Sequence, residues 1–313
     1  MPVFIDCQKG IGRSFDAIMI RIFMSKIELG NVKKVHFIGI GGIGMSALAR
    51  FLRNEKKEVQ GSDRAPSDIT TTLAKEGATV FEGHDASYIT DDIDLVVYTE
   101  AVNPTTEGYA ELEAARRKGI PTINYFEALG LAVNPYYLIA VSGTHGKTTT
   151  TAMITDVFEA AEKDPTAIIG SLRSKTKSNF RAGKSKYAVV EACEYKRDFL
   201  HLKPDVLVIT NVEYEHADYY KDLADVQDAF RTFVAQVNEG GVVVTDLKNP
   251  NILPIIKDAP VAVLDYNEFF DVKLPLKQPG IYNRLNAAAA LTVANHERLD
   301  LAAATATLAE FAG

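Results

Sequence analysis

Apolar and polar positions along the chain form two alternating patterns that predict strands and helices in turn. Short apolar runs such as "KVHFIGI" (34–40) and "DLVVYTE" (94–100) predict buried strands, and "GMSALARFLRNE" (44–55) between them has helical spacing. The same alternation resumes at "YYLIAVSG" (136–143) and continues through "KYAVVEA" (186–192). Because strands that alternate with helices pair in parallel, the sequence predicts an α/β fold with mainly parallel sheets.

Length and the break at Asn134-Pro135 predict two domains. A chain of 313 residues exceeds what one hydrophobic core usually supports, which is roughly 250–300 residues. We expect an N-terminal domain over residues 32–134 and a second domain over residues 135–313. Residues 1–31 are expected to form a poorly defined N-terminal extension.

Composition narrows the function classes. The net charge of −7 argues against a protein that works by gripping nucleic-acid backbone. The only two cysteines, Cys7 and Cys193, exclude a disulfide framework and favour a reducing, cytoplasmic setting. No apolar run approaches the roughly 20 residues that cross a bilayer, so membrane insertion is not expected. The oligomeric state is left open.

The first candidate site is the glycine cluster "GIGGIG" (39–44), between a predicted strand and a predicted helix. Glycines there let the backbone turn tightly and approach a diphosphate at the helix N-terminus. Ser62 and Asp63 end the next strand, where a carboxylate could meet a ribose hydroxyl. The alternative is a tight turn without a ligand. A dinucleotide would be the default ligand, but any nucleoside diphosphate satisfies the same physics.

The second candidate site is "SGTHGKTTTT" (142–151), also between a predicted strand and helix. It departs from the standard phosphate loop, because Val141 stands where that pattern requires glycine. Helix-start N–H groups and Lys147 could still hold phosphates, and Thr148 could ligate magnesium. The alternative is a threonine-rich helix start beside a solvated lysine.

Side chains after three later elements complete the candidate chemistry. Glu191 ends a predicted strand and could hold a magnesium ion, whereas Glu194 is expected to be a solvated surface charge and Cys193 a small buried side chain. His216 in "TNVEYEHADYY" could ligate a second magnesium ion or could simply cap a turn. The asparagines of "PGIYNRLNAAAA" (279–290) could cap a helix or hydrogen-bond a base.

Taken together, these motifs resemble the Mur ligases, the ATP-dependent amide-forming enzymes of bacterial cell-wall precursor synthesis. The resemblance lies in "HFIGIGGIGMSALA" followed by "GSD", in "SGTHGKTTTT", in "FLHLKPDVLVITNVEYEHADYY" and in "PGIYNRLNAAAA". These four motifs occur in order and span roughly residues 32–313. Within the family, the chain is most similar to the branch that adds alanine.

The resemblance implies a Rossmann-like UDP-sugar domain followed by a central ATP-binding domain of the P-loop type. The implied reaction joins L-alanine to the lactyl carboxylate of UDP-N-acetylmuramate through an acyl phosphate, with ATP and Mg²⁺. The implied UDP-sugar residues are Gly41, Gly42, Ile43, Gly44, Ser62 and Asp63. The implied ATP residues are Gly143, Thr144, His145, Gly146, Lys147, Thr148, Thr149, Asn283 and Asn286. Thr148, Glu191 and His216 are the implied metal ligands, and Lys147, Glu191 and His216 the implied catalytic residues.

The chain also departs from the family pattern. Glu215 stands where most members have aspartate, Tyr282 where many have histidine, and Arg231 where several sister ligases carry a carbamylated lysine. The family's C-terminal domain has no counterpart in this sequence, so we expect a truncated form.

Three other functions stay open. They are a ligase that attaches a recycled murein peptide to the same UDP-sugar, a fragment that only binds the two nucleotides, and an NAD-dependent oxidoreductase read from the first glycine cluster alone. The last leaves "SGTHGKTTTT" unexplained.

Overall fold

The computed structural model describes residues 27–313, in which two mainly parallel sheets are flanked by helices. The predicted fold class is confirmed. Most of the predicted N-terminal extension, including Cys7, lies outside the described residues. No helix among residues 27–313 is both long and apolar enough to cross a bilayer.

The first sheet has five parallel strands in the order β3-β2-β1-β4-β5. Its elements are β1 (Lys34–Ile38), α1 (Ile43–Asn54), β2 (Glu58–Asp63), α2 (Asp68–Lys75), β3 (Thr79–Glu82), β4 (Leu95–Tyr98), α3 (Tyr109–Arg117), β5 (Thr122–Asn124) and α4 (Tyr125–Val133). The order reverses beside β1, so the glycine cluster after β1 lies where open α/β sheets bind ligands.

The second sheet has seven strands in the order β12-β11-β10-β6-β9-β7-β8, and only β8 runs antiparallel to its neighbour. Its elements are β6 (Tyr137–Ser142), α5 (Lys147–Ala160), β7 (Thr166–Ile168), β8 (Phe180–Arg181), β9 (Tyr187–Glu191), β10 (Val206–Ile209), α6 (Leu223–Val234), β11 (Val242–Thr245), α7 (Leu253–Ile256), β12 (Ala262–Asp265), α8 (Ile281–His296) and α9 (Leu301–Ala309). Short 3₁₀ helices lie at Leu29–Asn31, Ala86–Tyr88, Tyr195–His201 and Tyr266–Phe269.

Burial on both faces explains the apolar runs of the second sheet. All four residues of β10 are buried, as expected for a strand with helices on either side. On one face α5 packs against α8, whose run Ala287–Ala290 is buried in the same hydrophobic cluster as Met153 and Val157. The small alanine side chains let the two helices approach closely.

The two sheets share a hydrophobic core and a buried polar junction. One cluster contains Phe37 of β1 and Leu207 of β10. At the junction, the fully buried Asn179 donates through Nδ2 to the Ser46 hydroxyl at 3.0 Å and to the carbonyl of Ile43. Its Oδ1 accepts from Arg50 Nη1 at 2.7 Å. Asn179 therefore fixes the start of α1, and the glycine cluster before it, relative to the second sheet.

We expect Asn179→Ala to lower the free energy of unfolding by about 2–4 kcal/mol, because it leaves a buried guanidinium N–H of Arg50 and the buried Ser46 hydroxyl without this partner. Urea unfolding followed by circular dichroism measures the change. The control is Asn31→Ala, which removes an exposed side-chain bond to Glu28. Equal stability of the two variants would contradict the role given to this junction.

Candidate functional site

The glycine cluster after β1 borders a cavity of about 660 Å³ at the carboxyl edge of the first sheet. Gly39 has a φ of +88°, which favours glycine. Asp63 Oδ2 accepts the Gly41 N–H at 2.7 Å, and a Cβ at Gly41 would lie 2.8 Å from that oxygen. Asp63 thus holds the turn as well as lining the cavity. The predicted residue Ser62 is fully buried behind it.

A second cavity of about 410 Å³ lies between the two sheets, and Gly42 lines both cavities. The predicted residues Ile43 and Gly44 line this second cavity. A Cβ at Gly44 would lie 2.6 Å from Cζ of Tyr125, so glycine is needed for the tyrosine ring to cover the start of α1. Burial, and the nearby Glu191 carboxylate, raise the pKa of Tyr125.

The loop between β6 and α5 is tightly built around two glycines. Gly143 has a φ of +127° and Gly146 a φ of +84°. A Cβ would lie 2.2 Å from Thr210 Oγ1 at the first position and 2.5 Å from Asn286 Oδ1 at the second. Val141 is a fully buried residue of β6, so the turn proper begins later than in the standard phosphate loop.

The segment after β10 holds this loop in place. The Thr144 N–H donates to the Asn211 carbonyl at 3.0 Å, and the Thr144 hydroxyl accepts the Glu213 N–H at 2.8 Å. The His145 N–H donates to Asn211 Oδ1 at 2.8 Å, while the His145 side chain is exposed. The loop conformation therefore depends on residues that lie about 65 positions later, as in the pairing of His145 with Asn211.

Lys147 is held by the loop and by a buried carboxylate. Its ammonium group donates to the carbonyls of Gly143 at 2.6 Å and Thr144 at 3.1 Å. It also lies 3.1 Å from Oε1 and 3.0 Å from Oε2 of Glu194, whose side chain is 3% exposed. The prediction that Glu194 is a solvated surface charge is wrong. The turn that follows β9 folds back towards the loop, and this buries the Glu194 side chain.

Glu191 lies at the end of β9 and lines the 410 Å³ cavity. Its Oε2 accepts the Gly170 N–H at 2.9 Å, and a Cβ at Gly170 would lie 2.3 Å from that oxygen. Nearby Cys193 has its pKa raised to about 11, first by burial and then by Glu194. Its thiol is therefore protonated near neutral pH, but the residue is half-buried and lines the cavity, so the expectation of a buried side chain is only partly met.

His216 lies beside the Lys147–Glu194 pair. Its Nε2 is 3.7 Å from Glu194 Oε1, and its ring centroid is 4.8 Å from that of Tyr195. The residue has a φ of +56°, an uncommon conformation for a side chain of this size. The structure thus brings His216 and Lys147 to one carboxylate, Glu194, rather than to Glu191.

The oxygen donors near the loop suit magnesium. The Thr148 hydroxyl and the Glu191 carboxylate are hard ligands of the kind that Mg²⁺ prefers, and Thr148 is half-buried in the first turn of α5 with Thr149. Among residues 27–313, no group of three or more His, Cys, Asp or Glu side chains could hold a metal ion. Few protein ligands are expected for an ion that mainly binds phosphate and water. The imidazole of His216 suits Mg²⁺ less well.

The two asparagines of α8 have different surroundings. Asn286 is buried against Gly146 and lines a pocket of about 160 Å³, together with Tyr266 and the exposed Tyr282. Asn283 donates instead to the Gln278 carbonyl at 3.2 Å and lies outside the lining of that pocket. Only Asn286 adjoins the loop.

Comparison with known proteins identifies the family. The description "Mur ligase family, catalytic domain" matches residues 34–137, and "Mur ligase middle domain" matches residues 141–268. The UDP-N-acetylmuramate–L-alanine ligase of Agathobacter rectalis is 37% identical over 93% of this chain and 69% of its own length. The chain belongs to the Mur ligase family. The resemblance drawn from the sequence is confirmed.

Other Mur ligases give the same assignment. The enzymes of the same name from Acetivibrio thermocellus and Clostridium novyi are 39% and 41% identical, over 86% and 75% of this chain. The chain spans 62% and 51% of their respective lengths.

Solved structures of two Mur ligases share the fold. The UDP-N-acetylmuramate–alanine ligase of Thermotoga maritima has a TM-score of 0.76 at 29% identity, over 90% of this chain and 69% of its own. The UDP-N-acetylmuramate:L-alanyl-γ-D-glutamyl-meso-diaminopimelate ligase of Neisseria meningitides has a TM-score of 0.81 at 25% identity, over 90% of this chain and 99% of its own.

Sequence reasoning placed Asn211 at the carboxyl edge of the sheet, since the strand before it ends there, but did not predict that it holds the loop. It did not find the other residues of this Mur ligase site. Glu194 and Gly170 contact predicted residues, and Asp198 lines the 410 Å³ cavity. Gly170 and Asp198 carry no such signal in the sequence.

Asp198, which lines the 410 Å³ cavity, is a buried carboxyl group with a raised pKa. It is 7% exposed, and its Oδ2 has no hydrogen-bond partner among residues 27–313. Burial, followed by the nearby Glu100 carboxylate, raises its pKa from 3.8 to about 7. The folded chain therefore binds a proton at Asp198 more tightly than the unfolded chain does. The resulting stability is present at low pH and is lost as the pH rises from about 4 to about 7.

We expect Asp198→Asn to be more stable than the parent chain at pH 8, by at most about 4 kcal/mol, and equally stable at pH 4. The amide keeps the shape and removes the charge. Urea unfolding of both proteins at the two pH values gives the difference. A gain of the same size at both pH values would mean that packing, and not the charge, is responsible.

Proposed function

We propose that this chain carries the UDP-sugar and ATP sites of an ATP-dependent ligase that joins L-alanine to the lactyl carboxylate of UDP-N-acetylmuramate. The observation that carries the proposal is that Gly42 lines both cavities, so the two lie on either side of the glycine cluster. One cavity borders the glycine cluster, and the other contains Glu191 at the end of β9. A nucleotide bound in the first cavity can extend its sugar into the second.

The domain division at residues 134 and 135 and a cytoplasmic location belong to the same proposal. The Mur ligase assignment supports both, and the succession of two sheets along the chain also supports the domain division. The implied partners are the two substrates, with no nucleic acid and no membrane insertion.

The chemistry explains why two nucleotide sites should meet. A carboxylate condenses with an amine only after it gains a leaving group. The lactyl carboxylate would attack the γ-phosphate of ATP and release ADP, and the alanine amine would then displace phosphate from the acyl phosphate. Lys147 and the N–H groups that begin α5 would stabilise the negative charge that spreads over the transferred phosphoryl group. Thr148 and Glu191 would hold magnesium, which neutralises phosphate charge when bound.

Other residues would bind and orient the substrates. Gly41, Gly42, Ile43 and Gly44 would face the UDP-sugar, and Asp63 would hold their turn. Gly143 to Thr149 would surround the phosphates of ATP, and Asn286 would adjoin them from α8. His216 would act through Glu194 and Lys147. Asn283 stays a predicted adenine contact, although its amide bonds the Gln278 carbonyl.

A peptide-adding ligase is the second candidate, because the Neisseria meningitides structure has the higher TM-score. Sequence identity favours the alanine reaction, since the relatives that are 37–41% identical carry that name. Backbone likeness reports the fold that both reactions share. The amino-acid substrate must therefore be measured.

Phosphate release decides between the candidates. The chain is incubated with UDP-N-acetylmuramate, ATP and magnesium, and with either L-alanine or the tripeptide L-alanyl-γ-D-glutamyl-meso-diaminopimelate. Alanine-dependent release supports the proposal, and tripeptide-dependent release overturns its substrate assignment. Binding of both nucleotides by calorimetry without any release would identify a form that binds but does not catalyse. If calorimetry detects binding of neither UDP-N-acetylmuramate nor ATP, the proposal is wrong.

We expect Lys147→Ala to weaken ATP binding by roughly 10- to 100-fold, because it removes a charge-assisted contact to phosphate. UDP-N-acetylmuramate binding should be unchanged, since Lys147 lies in the other sheet's loop. Calorimetry measures both constants, with Lys184→Ala on the surface as the matched control.

Lys147→Ala leaves Glu194 buried without its ammonium partner. The double variant Lys147→Met with Glu194→Gln lacks that buried charge and therefore tests the effect on ATP and UDP-N-acetylmuramate binding without it. Equal loss of both ligands in a folded double variant would contradict two separate sites.

A further inference from the structure

The turn after β9 holds two successive residues in the left-handed backbone region. Lys196 has a φ of +53° and Arg197 a φ of +64°, which is uncommon for residues other than glycine. Two ion pairs to α6 hold the turn, because Arg197 Nη2 lies 2.7 Å from Asp225 Oδ1 and Nη1 lies 3.0 Å from Asp228 Oδ2. Asp198 is the next residue of the chain, so this costly conformation fixes where its carboxyl group lies.

The carboxyl group of Asp198 lines the 410 Å³ cavity without a protein partner at one of its oxygens. The residue is 7% exposed, and its Oδ2 receives no hydrogen bond from any residue within 27–313. Buried polar atoms in folded proteins almost always have a partner, so an exception needs an explanation. The cavity provides one, since a ligand bound there can supply the missing donor.

The groups around Asp198 show which kind of donor is missing. Titratable side chains from β9, the segment after β4, α4 and its own turn face it or share its cavity: Glu191, Glu100, Glu127, Tyr125, Cys193, Tyr195 and Lys196. Lys196 is the one cation of this set, and its Nζ already lies 3.2 Å from Glu100 Oε2. His201 of the same turn has its pKa lowered by burial and is therefore neutral near pH 7. Asp198 thus lacks a cation, and the group that fits it is a positively charged hydrogen-bond donor.

Among the reactants of the proposed ligase, the amino acid is the one that carries such a group. UDP-N-acetylmuramate and ATP bring carboxylate and phosphate charges, which Asp198 would repel. We propose that Asp198 is a catalytic residue of amide formation, which binds the ammonium group of the incoming amino acid and removes one of its protons. The inference rests on the proposed function and goes beyond it, because that proposal assigns no group to receive this proton.

Atoms and charges balance in this step. The amino acid enters as an ammonium ion, whose nitrogen has no free electron pair for attack. Transfer of one proton to the Asp198 carboxylate leaves a neutral amine. The amine nitrogen then forms a bond to the carbonyl carbon of the acyl phosphate, and the carbon–oxygen bond to phosphate breaks. The leaving phosphate takes the electron pair of that bond together with the second proton from nitrogen.

The surroundings of Asp198 suit it to this task. Burial first, and then the Glu100 carboxylate, raise its pKa from 3.8 to about 7. A carboxylate with the usual pKa is a weak acceptor for an ammonium proton, whereas a general base works best when its pKa is near the operating pH. The carboxylate form predominates above about pH 7, so we expect amide formation to rise with pH up to about 7 and then to level off.

Carbon-13 NMR of the aspartate carboxyl carbons tests the ammonium contact without requiring turnover. The chain is bound to UDP-N-acetylmuramate, magnesium and a non-hydrolysable ATP analogue, and the Asp198 signal is assigned by its loss in Asp198→Asn. We expect L-alanine to move the titration midpoint of this signal to lower pH by about one pH unit, because the ammonium group stabilises the carboxylate. Propionate, which is alanine without its amine, is the matched control and should leave the midpoint unchanged.

Phosphate release tests the removal of the proton. We expect Asp198→Asn to lower kcat with L-alanine by roughly 100- to 10,000-fold and to abolish the rise with pH, because the amide has the same shape but cannot accept the proton. The KM for UDP-N-acetylmuramate should be unchanged. Hydroxylamine is uncharged at neutral pH and needs no base, so its reaction with the acyl phosphate to a hydroxamate should persist in Asp198→Asn. Asp258→Asn, which changes an exposed residue, is the matched control.

The outcomes separate this inference from the proposed function. A midpoint that L-alanine leaves unchanged overturns the ammonium contact, also in a chain that releases no phosphate. An unchanged kcat in Asp198→Asn overturns the role as base, and so does a hydroxamate yield that falls with kcat, because it places Asp198 before the amine step. Since Asp198→Asn is expected to be the more stable chain at pH 8, unfolding does not explain a loss of activity. If calorimetry detects binding of neither nucleotide, the proposed function fails, whereas a fixed midpoint with both nucleotides bound overturns this inference alone.

Discussion

Parallel strand pairing is the constraint on which the rest of this structure depends. It places the turn after β1 and the turn after β6 at the carboxyl edges of their sheets, where helix N-termini face outwards. A second condition is needed for the two edges to meet. Asn179 and Arg50 supply it, because their buried bonds lock the first turn of α1 against the second sheet. The two cavities that Gly42 lines lie next to each other because both conditions hold.

Three buried carboxylates near these edges are compensated in different ways, and each way indicates a different role. Glu194 pairs with the Lys147 ammonium, so the charge is balanced within the loop that holds it. Glu111 is surrounded by the side chains of His36, Ser62 and His84, each with a polar atom within 2.9 Å of one of its oxygens. Asp198 has Glu100 nearby, and burial together with that carboxylate raises its pKa to about 7. The first arrangement holds a cation beside the phosphate loop, the second ties β1, β2 and the segment after β3 to α3, and the third weakens the folded state at neutral pH.

The sequence predicted the framework because strong local patterns encode it. Apolar periodicity correctly placed the strands β1, β2 and β6. It also placed the helices α1 and α5, which follow the glycine turns after β1 and β6. The strands β3, β5, β7 and β8 were not predicted. β5, β7 and β8 have only two or three residues, too few to show a periodicity, and β3 has four residues of which none is fully buried. Side-chain pairs between residues far apart in the sequence could not be predicted either. Glu111 meets a histidine 75 positions away, and Glu194 meets Lys147 across 47 positions. Only the folded backbone creates such contacts.

Two departures, Val141 from the standard phosphate loop and Glu215 from the family pattern, acquire physical reasons once the loop is seen in place. Val141 belongs to the buried strand, so the turn needs glycine only where Thr210 and Asn286 press against it. Glu215 stands where the family has aspartate, and its carboxylate lies 3.6 Å from the exposed His145 of the loop. The longer side chain can thus reach a loop residue that the shorter one would approach less closely. Such an exposed pair contributes little to stability. The conformation of the loop is therefore left to the backbone contacts that Asn211 and Glu213 make with His145 and Thr144.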